Sequence, residues 1–234
     1  MSDARSHILA TIRTALGRDK LSPETRAALE ARLAAPKPSV IPARGMTGSK
    51  IGPRGAHNEL IERFLEESAR VDATNQRVQG LDAVPGAVAA YVDGAGLPGR
   101  LRAMPDPILQ TLSWSGTNLE VVYGAAVPQD AVGLGIAAAG VAETGTLVMV
   151  SGAQTPVTVN FLPESAVVVL PARRIVGSFE DAWAAVRAQS GGKNVMPRAV
   201  NLITGPSRTA DIEQTLLLGA HGPGRLHILV ADDA

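Results

Sequence analysis

"AVVVLPARRIVGSFEDAWAAVRAQ", residues 166–189, sets a short β-branched apolar run ahead of a run of helical length. Ala166 to Pro171 offers no polar residue to turn outward, so it reads as a strand buried on both faces, as in a parallel sheet. Ser178 to Gln189 reads as a helix, with Ser178 as N-cap and Asp181 at N3 in a pattern resembling a capping box. The same alternation continues on either side. "LEVVYG", "VGLGIA", "GTLVMVS", "AVNLIT" and "LHILVA" are further short apolar runs bounded by Gly, Pro or polar residues, "RVQG" is a short strand, and "RLRAM" reads as an edge strand. Helices are expected where Leu60, Ile61, Phe64 and Leu65 share a face, from Pro85 through Tyr91, from Asp106-Pro107, and over "IEQTLLLG" up to Gly219. Strands alternating with helices predict an α/β layered domain with a mixed, largely parallel sheet.

Ahead of this body stands an arm. Ile8, Ile12 and Leu16 recur at helical spacing up to Gly17, and Ser22-Pro23 opens a second short helix with Leu29 and Leu33 on one face. "PKPSVIPARGMTGSKIGPRGA" has no acid and little to bury. The expected division is therefore a helical arm over 1–35, a Pro/Gly-rich linker over 36–56 and the α/β domain over 57–234. Residues 1–60 carry ten Lys/Arg against five Asp/Glu, although the whole chain balances at 22 and 22. That balance removes the broad electrostatic case for nucleic-acid binding, and the aromatics are too few for a stacking platform. With no cysteine, the sequence has no thiolate nucleophile, disulfide or Cys-ligated cluster. Four scattered histidines without a carboxylate cluster predict no metal site. No apolar run approaches the ~20 residues of a membrane span, and no signal-peptide pattern opens the chain, so a cytoplasmic location is expected.

Two segments could carry chemistry. Gly205, Pro206, Ser207, Arg208 and Thr209 follow a strand and precede the expected helix, with Asp211 and Glu213 in its first turns and His221 just past its end. One reading makes this an anion site, with a guanidinium fork, hydroxyls and helix N–H groups facing a carboxylate or phosphate. The other makes it a capped helix, with Arg208 paired to a carboxylate. In the second segment, Glu143, Thr144, Gly145 and Thr146 precede a buried strand: Glu143 is either a general base or nucleophile, or part of a turn closed by the two threonines. His227, alternating with apolar neighbours, reads as a hydrogen-bonded core residue. Gly133-Leu134-Gly135 lacks the third glycine of a dinucleotide fingerprint, and "LSWSG" is no nucleophile elbow.

In combination and order, "AGVAETGTLVMVSG", "VNFLPESAVVVLP" and "NLITGPSRTADIEQTLLLGAHGPGRLHILV", with "ILATIRTALGR" near the start, resemble the lactate-utilisation protein C family of LUD-domain proteins. The resemblance implies a fold like that of the NagB/RpiA/CoA-transferase group. It also implies an accessory role in oxidising L-lactate to pyruvate, with iron–sulfur clusters carried by partner subunits and no cofactor on this chain. Carried over, Glu143, Thr144, Gly145 and Thr146 would form one wall of a pocket for a small anionic metabolite. Gly205, Pro206, Ser207, Arg208 and Thr209 would form the other, oriented by Asp211 and Glu213, with His221 at the rim. The alternative the fold analogy suggests is an independent enzyme of CoA-transferase or sugar-phosphate-isomerase type using Glu143. A homo-oligomer stays open.

Overall fold

The computed structural model describes residues 2–17, 21–34, 54–190, 196–210, 216–219 and 221–232. The chain divides into two compact units, Met1–Val40 and Ile41–Ala234. Residues 36–53 of the expected linker lie outside the described residues.

In the first unit, α1 (Ser2–Ala15) runs into a turn ending at Gly17, and α2 (Pro23–Ala34) follows. Ser22 caps α2, its Oγ accepting from the Thr25 N–H at 3.1 Å, with Pro23 at the first helical position. The apolar stripe Ile8, Ile12 and Leu16 is exposed, as is Leu33.

The second unit runs α3 (Arg54–Arg70), β1 (Thr74–Val78), α4 (Val84–Gly94), β2 (Arg100–Ala103), α5 (Pro107–Gln110), β3 (Glu120–Tyr123), β4 (Val132–Ile136), β5 (Ala139–Val141) and β6 (Thr146–Val150). It continues with α6 (Thr158–Phe161), β7 (Ser165–Pro171), β8 (Ile175–Val176), α7 (Phe179–Gln189), β9 (Val200–Ile203), β10 (Arg208–Ala210), β11 (Leu216–Leu218) and β12 (Arg225–Ala231). Six strands form a wholly parallel sheet in the order β1-β12-β7-β4-β2-β3. Every residue of β4 and β7 is buried, which explains their unbroken apolar sequences. A smaller mixed sheet, β8-β5-β6-β9, packs on this core. Its strand β6 shows why: Leu147 and Met149 enter the larger core, while Val148 joins Val141 and, from α7, Ala182 and Val186 in a smaller one. Alternation along one strand thus places the small sheet between the main core and α7. Ile61 and Phe64 anchor α3 in the larger core, each burial contributing roughly 1.5–3 kcal/mol.

Several local expectations are corrected. Strand β2 is not an edge strand, because β3 lies outside it. Strand β9, "AVNLIT" in sequence, is not buried on both faces; it edges the small sheet, with Leu202 48% exposed. Of the helix expected over "IEQTLLLG", Leu216–Leu218 instead form β11, which pairs antiparallel with β10, Arg208 opposite Leu218 and Ala210 opposite Leu216; residues 211–215 lie outside the described residues. Cross-strand pairing absorbs the leucines that resemble a helical run. Strands β5 and β8, three and two residues long, are too short to raise a periodic signal.

Candidate functional site

A cleft of about 270 Å³ opens where three separate segments meet. The first is the end of α6, Asn160 and Phe161; the second is the loop after β9, through Gly205, Pro206, Ser207 and Arg208; the third is His221 to Pro223. Its floor is one face of the parallel sheet, Ala166 and Val168 of β7 with Leu226 of β12. These floor residues belong to the amino-terminal halves of their strands. The cleft therefore lies at the opposite end from the usual crevice of an open α/β sheet, while sitting at the carboxyl end of β9.

Ser207 ties the two loops together. Its N–H donates to the Pro223 carbonyl (2.8 Å), its carbonyl accepts from Gly219 (3.0 Å), and its Oγ accepts from the His221 N–H (3.3 Å). His221 is exposed at the mouth. Gly205, at φ 76°, packs its backbone on the turn after α3, and an added Cβ would lie 2.3 Å from the Val71 carbonyl oxygen. Arg208 lines the cleft while its Nη2 pairs with the Asp72 carboxylate and donates to the Val71 carbonyl at 3.5 Å. That pair is solvated, the side chains being 39% and 69% exposed. Thr209 follows in β10; Asp211 and Glu213 lie outside the described residues.

The β5–β6 turn has a different place. Glu143, Thr144, Gly145 and Thr146 do not line the cleft, so they do not form its facing wall. They are joined to it through hydroxyls: Thr144 to Thr146 at 2.6 Å, and Thr146, 1% exposed, to Thr204 at 2.7 Å. Gly145 (φ 63°) rests against the end of α3, where an added Cβ would meet the Ser68 nitrogen at 2.2 Å. The two motifs thus share a seat, the stretch from Glu67 to Asp72, without facing each other across a pocket. The Glu143 N–H donates to the Gly177 carbonyl at 3.2 Å, and its half-buried carboxylate makes no hydrogen bond or ion pair among the described residues.

Sequence reasoning missed Asn160, Phe161 and Asp72. Asn160 carried a readable signal, being a lone amide between apolar neighbours in "TVNFL". Asp72 carried none, because only the fold brings it to Arg208. Among the described residues no group of three His, Cys, Asp or Glu side chains could hold a metal ion, and no helix is long and apolar enough to cross a membrane.

Residues 126–231 match the model of the LUD domain. Every residue lining the cleft falls inside this stretch, whereas Val71 and Asp72 fall outside. The chain is 35% identical over 108 residues to a protein of Geobacillus thermodenitrificans named lactate utilization protein C, a match covering 46% of this chain and 45% of that protein. A protein of the same name from Bacillus subtilis is 35% identical over 102 residues, covering 43% and 42%. The chain thus spans a little under half the length of these curated relatives. The crystal structure of a DUF162 family protein from Deinococcus radiodurans superposes with a TM-score of 0.56 at 21% identity, covering 75% of this chain and 98% of that one. That likeness shows a shared fold.

Proposed function

We propose that this chain is the ligand-binding, non-catalytic component of a lactate-oxidising system. It holds a small carboxylate in the cleft while iron–sulfur partner subunits carry the electrons. The observation that carries the reading is the convergence of residues 160–161, 203–208 and 221–223 on one cleft that combines an apolar floor with Arg208. A guanidinium offers five donors in a fixed fork, so an entering carboxylate can share Arg208 with Asp72. The names of the relatives support the pathway. The sequence has no cysteine to hold a cluster, which supports the division of labour. Glu143 does not line the cleft, which weighs against the CoA-transferase or isomerase alternative acting there. The test is L-lactate-dependent reduction of an artificial electron acceptor. The purified chain alone should show none and should restore turnover when added to cluster-bearing partners that lack it. Turnover by the isolated chain without added cofactor would refute the proposal.

A further inference from the structure

Asn160 is 2% exposed, and neither its Oδ1 nor its Nδ2 has a hydrogen-bond partner among the described residues. A buried amide with donor and acceptor both unpaired is strongly disfavoured unless something arrives to pair them. Its bed is apolar. Strand β4 carries Gly135 beneath it, where an added Cβ would lie 3.1 Å from Asn160 Oδ1 and 3.3 Å from the terminal methyls of Met104 and Met149. A Cβ at 135 would press on the amide, so the glycine leaves it room. Asn160 also lines the cleft, so a ligand seated there lies beside it.

We infer that Asn160 is the specificity-determining residue of the cleft. Its amide reads a hydroxyl donor and a carboxylate acceptor on neighbouring atoms, so the cleft selects 2-hydroxy acids over 2-oxo acids. The hydroxyl donates to Oδ1 and a carboxylate oxygen accepts from Nδ2–H. A 2-oxo acid brings acceptors only and leaves Oδ1 unpaired, the kind of loss by which polar sites reject analogues lacking a hydrogen. Phe161, Ala166, Val168 and Leu226 supply apolar surface for the carbon skeleton. This inference rests on the cleft being the anion site proposed above.

The test is calorimetric titration of the full chain with L-lactate, pyruvate, propionate and neutral lactamide. L-Lactate should bind about tenfold more tightly than pyruvate or propionate. Asn160→Leu should erase that difference while the melting temperature holds or rises, since it removes an unpaired amide. If the variant does not fold, the wild-type series alone decides. Equal affinity for L-lactate and pyruvate, or discrimination surviving in Asn160→Leu, overturns the inference and leaves the anion site standing. Asn160-dependent binding of lactamide without binding of the acids upholds the role of Asn160 and overturns the anion site. Failure of all four ligands to bind overturns both.

Discussion

At the scale of single residues, His227 shows how burial sets chemistry. It is 6% exposed in the middle of β12, stacked on Tyr91 with ring centroids 4.2 Å apart. Its Nδ1 lies 2.8 Å from Thr74 Oγ1, while Nε2 has no partner among the described residues. Thr74 Oγ1 also reaches the Leu226 carbonyl at 3.3 Å, and the neutral ring needs only one of its nitrogens protonated. A second ring proton would place charge among apolar atoms, and burial accordingly pulls the pKa from 6.5 to about 4. The unfolded chain therefore binds the proton more readily than the folded one. The contribution is complete above pH 6.5 and is lost as pH falls from there towards 4, amounting to roughly 3 kcal/mol. Urea denaturation across this range should show that slope, and His227→Phe, which keeps a ring on Tyr91, should flatten it. An unchanged slope in the variant would assign the acid sensitivity elsewhere. The sequence made a core histidine readable from its apolar neighbours, but Tyr91 and Thr74 are brought to it only by the fold.

At the scale of elements, legibility followed burial. Strands β4, β7 and β12 are enclosed on both faces, so their sequences are nearly continuous apolar runs that admit one reading. The segment after Arg208 failed the same test, because a short leucine run satisfies a helix or a strand and only pairing with Arg208–Ala210 decides. The helix dipole invoked for an anion site has no helix among the described residues there, so the proposed site rests on side chains and loop geometry. That geometry depends on the contact between the Gly205 loop and the turn after α3. Gly205→Ala combines a left-handed φ with a Cβ 2.3 Å from a backbone oxygen that no rotamer change can relieve. It should cost about 1–3 kcal/mol of stability and weaken ligand binding together, measured by thermal melts and titration. A stable variant with full affinity would show that the loop is not seated on that turn when ligand binds.

At the scale of the whole molecule, the layering of two sheets and a helix was readable as an α/β class, while the position of the cleft was not. Strand ends alone pointed to the carboxyl side of the parallel sheet, yet the cleft lies over the amino-terminal halves of β7 and β12, where the β9 loop folds across them. The sequence reading sets 143–146 and 205–209 as facing walls of one pocket; in the structure 143–146 do not line the cleft, and a Thr146–Thr204 hydrogen bond links their strand to the residue just before the second motif. What joins these scales is Arg208, placed by β10, tied to Asp72 and opening on the cleft. The most direct measurement is a calorimetric titration of L-lactate into the wild type and Arg208→Ala, with melting temperatures recorded alongside. A solvated ion pair contributes at most about 1 kcal/mol to folding, whereas a charge-assisted bond to a carboxylate contributes roughly 1.5–3 kcal/mol to binding. The variant should therefore melt within a few degrees of the wild type and bind L-lactate at least about tenfold more weakly. Unchanged affinity with a large fall in melting temperature would make Arg208 a structural brace and contradict the proposed anion site.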